Sequence, residues 1–168
     1  MGVIVLVGVP GAGKTTVGAL LAKEMNVIFK DSDQLIEEFT GKSVSDIFIQ
    51  DGEALFRKIE EDQISQALTA QDGVLALGGG ALGSEQTLEN IKNHVVVWLI
   101  AGLSSAVERV GMNRNRPLLL GNVRGQLSTL LNAREPLYRS AATISIDTTD
   151  LTPEDVCKAI LLQLPEDK

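Results

Sequence analysis

The sequence predicts an α/β fold in which a parallel sheet is covered by helices. Short apolar, β-branched runs alternate along the chain with segments of helical periodicity. The runs Val3–Val7 and Val95–Ile100 are apolar at every position, as strands buried on both faces are. No internal repeat, low-complexity tract or linker divides the 168 residues, so a single domain over residues 1–168 is expected.

The elements follow in order. Val3–Val7 reads as the first strand and Lys14–Met25 as the first helix. Residues 27–29 form a short second strand, and 32–39 and 43–50 two short helices. Residues 53–71 carry Phe56, Ile59, Ile64 and Leu68 at spacings that fit one helical face. Residues 74–77 are the third strand, and 85–93 a helix with Ser84 as its N-cap. Val95–Ile100 is the fourth strand, and a helix starts over 104–110. Residues 125–139 look helical, with Pro136 expected to kink or end the helix. Residues 142–146 are the fifth strand, and Pro153 opens a last helix to about residue 164.

Composition narrows the function classes. A net charge of −7 argues against a general nucleic-acid binder, which needs a basic surface to displace counterions. Clustered arginines can still make a positive cleft for a small anion on an acidic protein. The apolar runs are too short to span a bilayer, and the N-terminus lacks a basic signal-peptide region. The lone Cys157 permits no intrachain disulfide, which favours a reducing compartment; a cytoplasmic protein is expected. His94, Trp98 and Cys157 read as structural residues, with no metal site implied.

The strongest motif is GVPGAGKT at residues 8–15, which satisfies G-x-x-x-x-G-K-[ST] between an apolar strand and a helix. Its glycines let backbone N–H groups wrap nucleotide phosphates, aided by the helix N-terminus. The phosphate-binding backbone is Gly11, Ala12, Gly13, Lys14, Thr15 and Thr16. Lys14 reaches the β- and γ-phosphates, and the Thr15 hydroxyl binds Mg²⁺. A nucleoside triphosphate is the expected ligand.

The class of phosphate-loop protein is narrowed by what else is present. No asparagine precedes a lysine, so the guanine signature N-K-x-D is missing. The third strand ends in Gly78-Gly79-Gly80, where a motor ATPase usually places an acid. The metal's carboxylate is therefore sought in Asp31-Ser32-Asp33, where one acid can face a metal-bound water and the other a substrate hydroxyl. The alternative is that one of them simply caps the following helix. Arg57 in LFRKIE has Glu60 three residues on to orient it. Arg116 lies in GMNRNRPLLLG, a composition that suits a mobile loop, and Arg134 in AREPLY. Such arginines grip carboxylates and phosphates bidentately; each alone reads more readily as a surface ion pair, and they gain weight only together with the phosphate loop and the Asp31–Asp33 pair. GGGALG at 78–83 also fits the dinucleotide fingerprint G-x-G-x-x-G, but that motif belongs on the first βα turn, with an acid some twenty residues on. The first turn already holds the phosphate loop, and residues 102–105 offer no acid. Bare backbone beside an acceptor substrate is the better reading.

Taken together, GVPGAGKT, DSD, FRKIE, GGG, RPLL and REPLY closely resemble the shikimate kinase family across nearly the whole chain. The resemblance implies a three-layer P-loop kinase fold related to nucleoside monophosphate kinases, its five-stranded parallel sheet in the order 2-3-1-4-5. It also implies a lid at about residues 111–124 and a substrate-binding region at about 31–60. The implied reaction moves the γ-phosphoryl of MgATP to the 3-hydroxyl of shikimate, on the route to chorismate and the aromatic amino acids. By the same resemblance Arg57 and Arg134 clamp the shikimate carboxylate, and Asp33 meets ring hydroxyls and serves as base or orients the nucleophile. The backbone of Gly78, Gly79 and Gly80 lines the acceptor site. Thr15 ligates Mg²⁺ and Asp31 holds it through water, while Lys14 and Arg116 neutralise the transferring phosphoryl group. Arg109 packs on adenine. Some members carry a basic residue for adenine near 146–153, where this chain has Asp150 and Leu151. The expected partners are ATP and shikimate, with neither nucleic acid nor membrane, acting on a monomer. The competing readings are a related small-molecule kinase, such as a gluconate kinase, and a non-catalytic nucleotide-binding module.

Overall fold

The five residues Val3–Val7 are all buried, so both faces of that strand are covered. This strand, β1, is the centre of the sheet. The computed structural model describes residues 2–101 and 123–166. In it β1 pairs in parallel with β3 (Gly73–Ala76) on one side and β4 (Val95–Ile100) on the other. β2 (Phe29–Asp31) and β5 (Ile144–Asp147) form the edges, giving the order β2-β3-β1-β4-β5. This is the strand order that the resemblance implied. The helices are α1 (Lys14–Met25), α2 (Ser32–Thr40), α3 (Val44–Gln50), α4 (Glu53–Ala67), α5 (Glu85–Ile91), α6 (Val123–Ala141) and α7 (Pro153–Gln163).

The main core joins the strands to α1, α4, α5, α6 and α7. A smaller cluster of Ile36, Ile47 and Phe56 ties α2, α3 and α4 into a separate shelf beside β2. Trp98 and Cys157 are core residues, as read from the sequence. No helix among the described residues is long and apolar enough to cross a membrane.

Several boundaries differ from expectation. The second strand is 29–31, not 27–29: Asn26 adopts the left-handed conformation to close α1, and Val27 N–H bonds back to Ala22, so the apolar Val27-Ile28 pair is spent on leaving the helix. The consequence is that Asp31 sits at the carboxyl end of β2. The helix expected over 53–71 stops at Ala67, and the fifth strand starts at Ile144 because Ala142 N–H still bonds to Tyr138 of α6. Pro136 does not end its helix; α6 runs on to Ala141. The packing of Leu130, Leu131, Leu137 and Tyr138 on the core outweighs the one backbone bond that proline removes. A short 3-10 turn, Ala81–Gly83, had no sequence signal in the reading above. Ser84 caps α5 as expected, accepting from Thr87 N–H. The helix expected over 104–110 and lid residues 111–122 lie outside the described residues, and 123–124 already belong to α6.

Candidate active site

In a parallel sheet the loops at the carboxyl ends of neighbouring strands lie side by side. Here β2, β3 and β1 are consecutive in space, so the segments following them, Asp31-Ser32-Asp33, Gly78-Gly79-Gly80 and the phosphate loop, are brought together.

The phosphate loop turns through Gly11 at φ 83° and Gly13 at φ 95°, left-handed values that favour glycine. α1 begins at Lys14, directly behind it. The buried Lys14 ammonium donates to the carbonyls of Gly8 (2.8 Å) and Val9 (3.0 Å), which holds it inside the loop. A cleft of about 250 Å³ opens here, with Gly13, Lys14, Thr15, Asp31, Asp33 and Gly79 in its walls.

Asp31 divides its two oxygens. Oδ1 accepts from the N–H groups of Asp33 (2.9 Å) and Gln34 (3.4 Å), capping α2, and Oδ2 accepts from the Thr15 hydroxyl at 3.0 Å. Asp31 thus caps α2 and holds the Thr15 hydroxyl at the same time. A hydroxyl and a carboxylate at this separation suit Mg²⁺, which takes few protein ligands and completes its octahedron with water and phosphate oxygens. Ser32, fully buried, accepts from Gly78 N–H at 2.8 Å and so ties the glycine run to the head of α2.

The second cleft, of about 570 Å³, lies on the other side of Gly79 between α4 and α6. Arg57 enters it from α4 and Arg134 from α6. Both guanidinium groups reach the glycine run. A Cβ built on Gly80 would stand 2.5 Å from Arg57 Nη2 and 2.9 Å from Arg134 Nη2, and one on Gly79 would stand 2.8 Å from Arg134 Nη1. Glycine is required here for close approach. Gly80→Ala is accordingly expected to leave Tm within about 3 °C, because long side chains can move aside, while raising KM for an anionic acceptor at least about tenfold by displacing both guanidinium groups. Steady-state kinetics beside a melting curve checks this.

Arg57 Nη1 is held at 2.8 Å by Oε1 of Glu60, whose residue is only 3 % exposed. Glu60 Oε2 is buried and, among the described residues, has no hydrogen-bond partner. Burial pushes its pKa up to about 7; Arg57 opposes the shift, and the nearby Asp33 carboxylate adds to it. The folded chain therefore binds more protons than the unfolded one between pH 4.5 and 7, and stability falls as pH rises through that window. Relative to Glu60→Gln, the wild type should gain on the order of 1 kcal/mol as pH drops from 8 to 6. Urea unfolding at both pH values reads this directly, and a constant difference would show that Glu60 does not titrate there.

The model of the shikimate kinase family matches residues 10–165. This chain belongs to that family. A shikimate kinase of Thermobifida fusca (strain YX) is 48 % identical over 161 residues, covering 96 % of this chain and 94 % of the relative. Among solved structures, a shikimate kinase from Acinetobacter baumannii in complex with shikimate superposes with a TM-score of 0.93 at 38 % identity, covering 96 % of this chain and 91 % of that one. A gluconokinase from Sinorhizobium meliloti reaches a TM-score of 0.62 at 20 % identity over 95 % of this chain and 90 % of its own, a likeness of fold alone.

Of the residues singled out from the sequence as a shikimate kinase site, Lys14, Thr15, Asp31, Asp33 and the three glycines gather around the first cleft or its border. Arg57 and Arg134 converge on the second. Arg109 and Arg116 lie outside the described residues. Three features escaped the sequence reading: the Ser32–Gly78 bond, the raised pKa of Glu60, and Tyr138, whose hydroxyl donates to Gly79 O at 2.6 Å. Ser32 and Glu60 were in view as neighbours of better-known motif positions. Tyr138 stood in REPLY with nothing local to mark it.

Proposed function

We propose that this chain transfers the γ-phosphoryl group of ATP to the 3-hydroxyl of shikimate, giving shikimate 3-phosphate for aromatic amino acid biosynthesis. The observation that carries the proposal is that Gly79 lines both clefts, with the phosphate loop on one side and the Arg57–Arg134 pair on the other. A donor phosphate and an acceptor carboxylate thus have separate, adjoining seats.

In this reading Arg57 and Arg134 grip the shikimate carboxylate bidentately, Glu60 holding Arg57 in place. Asp33, in the first turn of α2, borders the acceptor side of the phosphate cleft and takes or orients the proton of the 3-hydroxyl. The backbone of residues 11–16 wraps the phosphates, and Lys14 exchanges its bonds to Gly8 and Val9 for the β- and γ-phosphate oxygens. Thr15 and Asp31 would hold Mg²⁺. When bound, Mg²⁺ neutralises charge on the phosphoryl oxygens. Arg116 adds positive charge to the group in transfer, and Arg109 packs on adenine. Phosphoryl transfer needs little covalent help, so positioning and charge account for the catalysis. The chain acts as a cytoplasmic monomer on two small molecules; its single cysteine favours a reducing compartment, and its net charge of −7 argues against nucleic acid as a partner.

A coupled ADP-release assay with shikimate, gluconate and nucleoside monophosphates tests the proposal. Turnover with shikimate alone is expected. Clear turnover with another acceptor and none with shikimate would overturn it, and ATP binding without any turnover would indicate a non-catalytic module.

A further inference from the structure

Tyr138 is 2 % exposed, and its hydroxyl is hydrogen-bonded. It donates to the Gly79 carbonyl at 2.6 Å, and the guanidinium of Arg134, one turn earlier on α6, converges on the same glycine, its Nη1 2.8 Å from where a Cβ on Gly79 would stand. Burial pushes the phenol up to about 12, so the group remains a donor throughout the range in which a kinase is assayed. The ring packs against Trp98, with centroids 6.1 Å apart, and that contact does not involve the hydroxyl. What the hydroxyl adds is direction.

The Gly79 carbonyl and the Gly80 N–H belong to one peptide unit. No described peptide bond is cis, so the two point opposite ways. A peptide between two glycines has no side chain to resist its rotation. Anchoring the oxygen on Tyr138 therefore aims the Gly80 N–H away from α6. Gly78 N–H is already committed to Ser32, whereas among the described residues no protein acceptor takes the N–H of Gly79 or Gly80. These two are the backbone donors left for a ligand in the cleft.

We propose that Tyr138 is a positioning residue for the phosphoryl acceptor: its hydroxyl fixes the Gly79–Gly80 peptide against which Arg134 packs, so that the carboxylate clamp and the backbone donors share one frame. This rests on the acceptor cleft assigned under the proposed function. The frame joins α6 to the loop after β3. Pro10 of the phosphate loop lies beside Gly79, but no phosphate-loop residue bonds to the Tyr138 hydroxyl among the described residues, so its loss falls mainly on the acceptor.

Tyr138→Phe removes the hydroxyl and keeps the ring on Trp98. Wild-type turnover with shikimate is measured first, and failure there strikes the proposed function and not Tyr138. The variant is expected to raise KM for shikimate about 5- to 30-fold, the effect of losing one buried hydrogen bond, with KM for ATP within about twofold. A shikimate KM within twofold of wild type, whatever the fall in Tm, would reduce the hydroxyl to a purely structural role. A second measurement needs no variant, because Tyr138 is the only tyrosine in the chain. Protein labelled with 3-fluorotyrosine gives a single ¹⁹F resonance, expected to move on adding shikimate and to stay put on adding ADP alone. A resonance unmoved at saturating shikimate would overturn the proposal.

Discussion

Exchanging Asp33 for asparagine is expected to lower kcat by about 10²–10⁴ while leaving nucleotide binding nearly unchanged. The substitution preserves size and removes only the charge that would receive or direct the hydroxyl proton. Its effect on folding should be small, because the cap of α2 is the Asp31 side chain, and Asp33 contributes its backbone N–H. In the proposed reading ATP is held by the phosphate-loop backbone and Lys14, which the change does not touch. The variant should also lower the pKa of Glu60, since the Asp33 charge is one of the influences that raise it. Pre-steady-state turnover and nucleotide titration on the same sample separate the two effects. Near-normal kcat would leave Asp33 a spectator at the start of a helix.

The second large effect is expected at Arg134. Its guanidinium approaches Gly79 and Gly80 and, with Tyr138, lines the cleft between α4 and α6. If Arg134 clamps the acceptor as proposed, Arg134→Ala removes a charge-assisted, two-pronged contact to its carboxylate, which predicts a rise in KM for shikimate of roughly 10- to 100-fold. The fall in kcat should be smaller, because a clamp on the carboxylate would act in ground state and transition state alike. An unchanged KM would take Arg134 out of the clamp. Arg134→Lys keeps the charge but not the planar fork, and is expected to recover only part of the affinity.

What the sequence made legible was local or motif-borne. The phosphate loop announces itself because its chemistry needs glycines, a lysine and a hydroxyl at fixed spacing on one turn. The apolar runs disclosed the strands, and the resemblance supplied their order. The errors came where neighbouring forces compete within a few residues. Val27 and Ile28 have strand-like side chains, yet the C-cap at Asn26 claims that stretch of backbone. Pro136 has a strong intrinsic penalty, yet the residues around it are packed into the core. What stayed hidden depends on contacts between distant segments. The Ser32–Gly78 bond spans 46 positions and the Tyr138–Gly79 bond spans 59. Glu60 has the same letter as any surface glutamate, and only enclosure makes it titrate near neutrality.

The pairing of β1, β2 and β3 has a consequence for how such a chain tolerates change in length. Leu6 and Asp31 are both level with Ala76, and Leu77 N–H closes the ladder on Leu6. Sliding any one of these strands by a residue would move its loop about 3.3 Å and turn its side chains to the opposite face. Reacting groups need to be placed several times more finely than that. Deletions and insertions should therefore be survivable at the outer turns around Gly41 and Gly52, where a Cβ would meet nothing within 4 Å. Between Val3 and Val9, or Gly73 and Gly80, a single added or lost residue would leave a folded sheet with its reacting groups out of step.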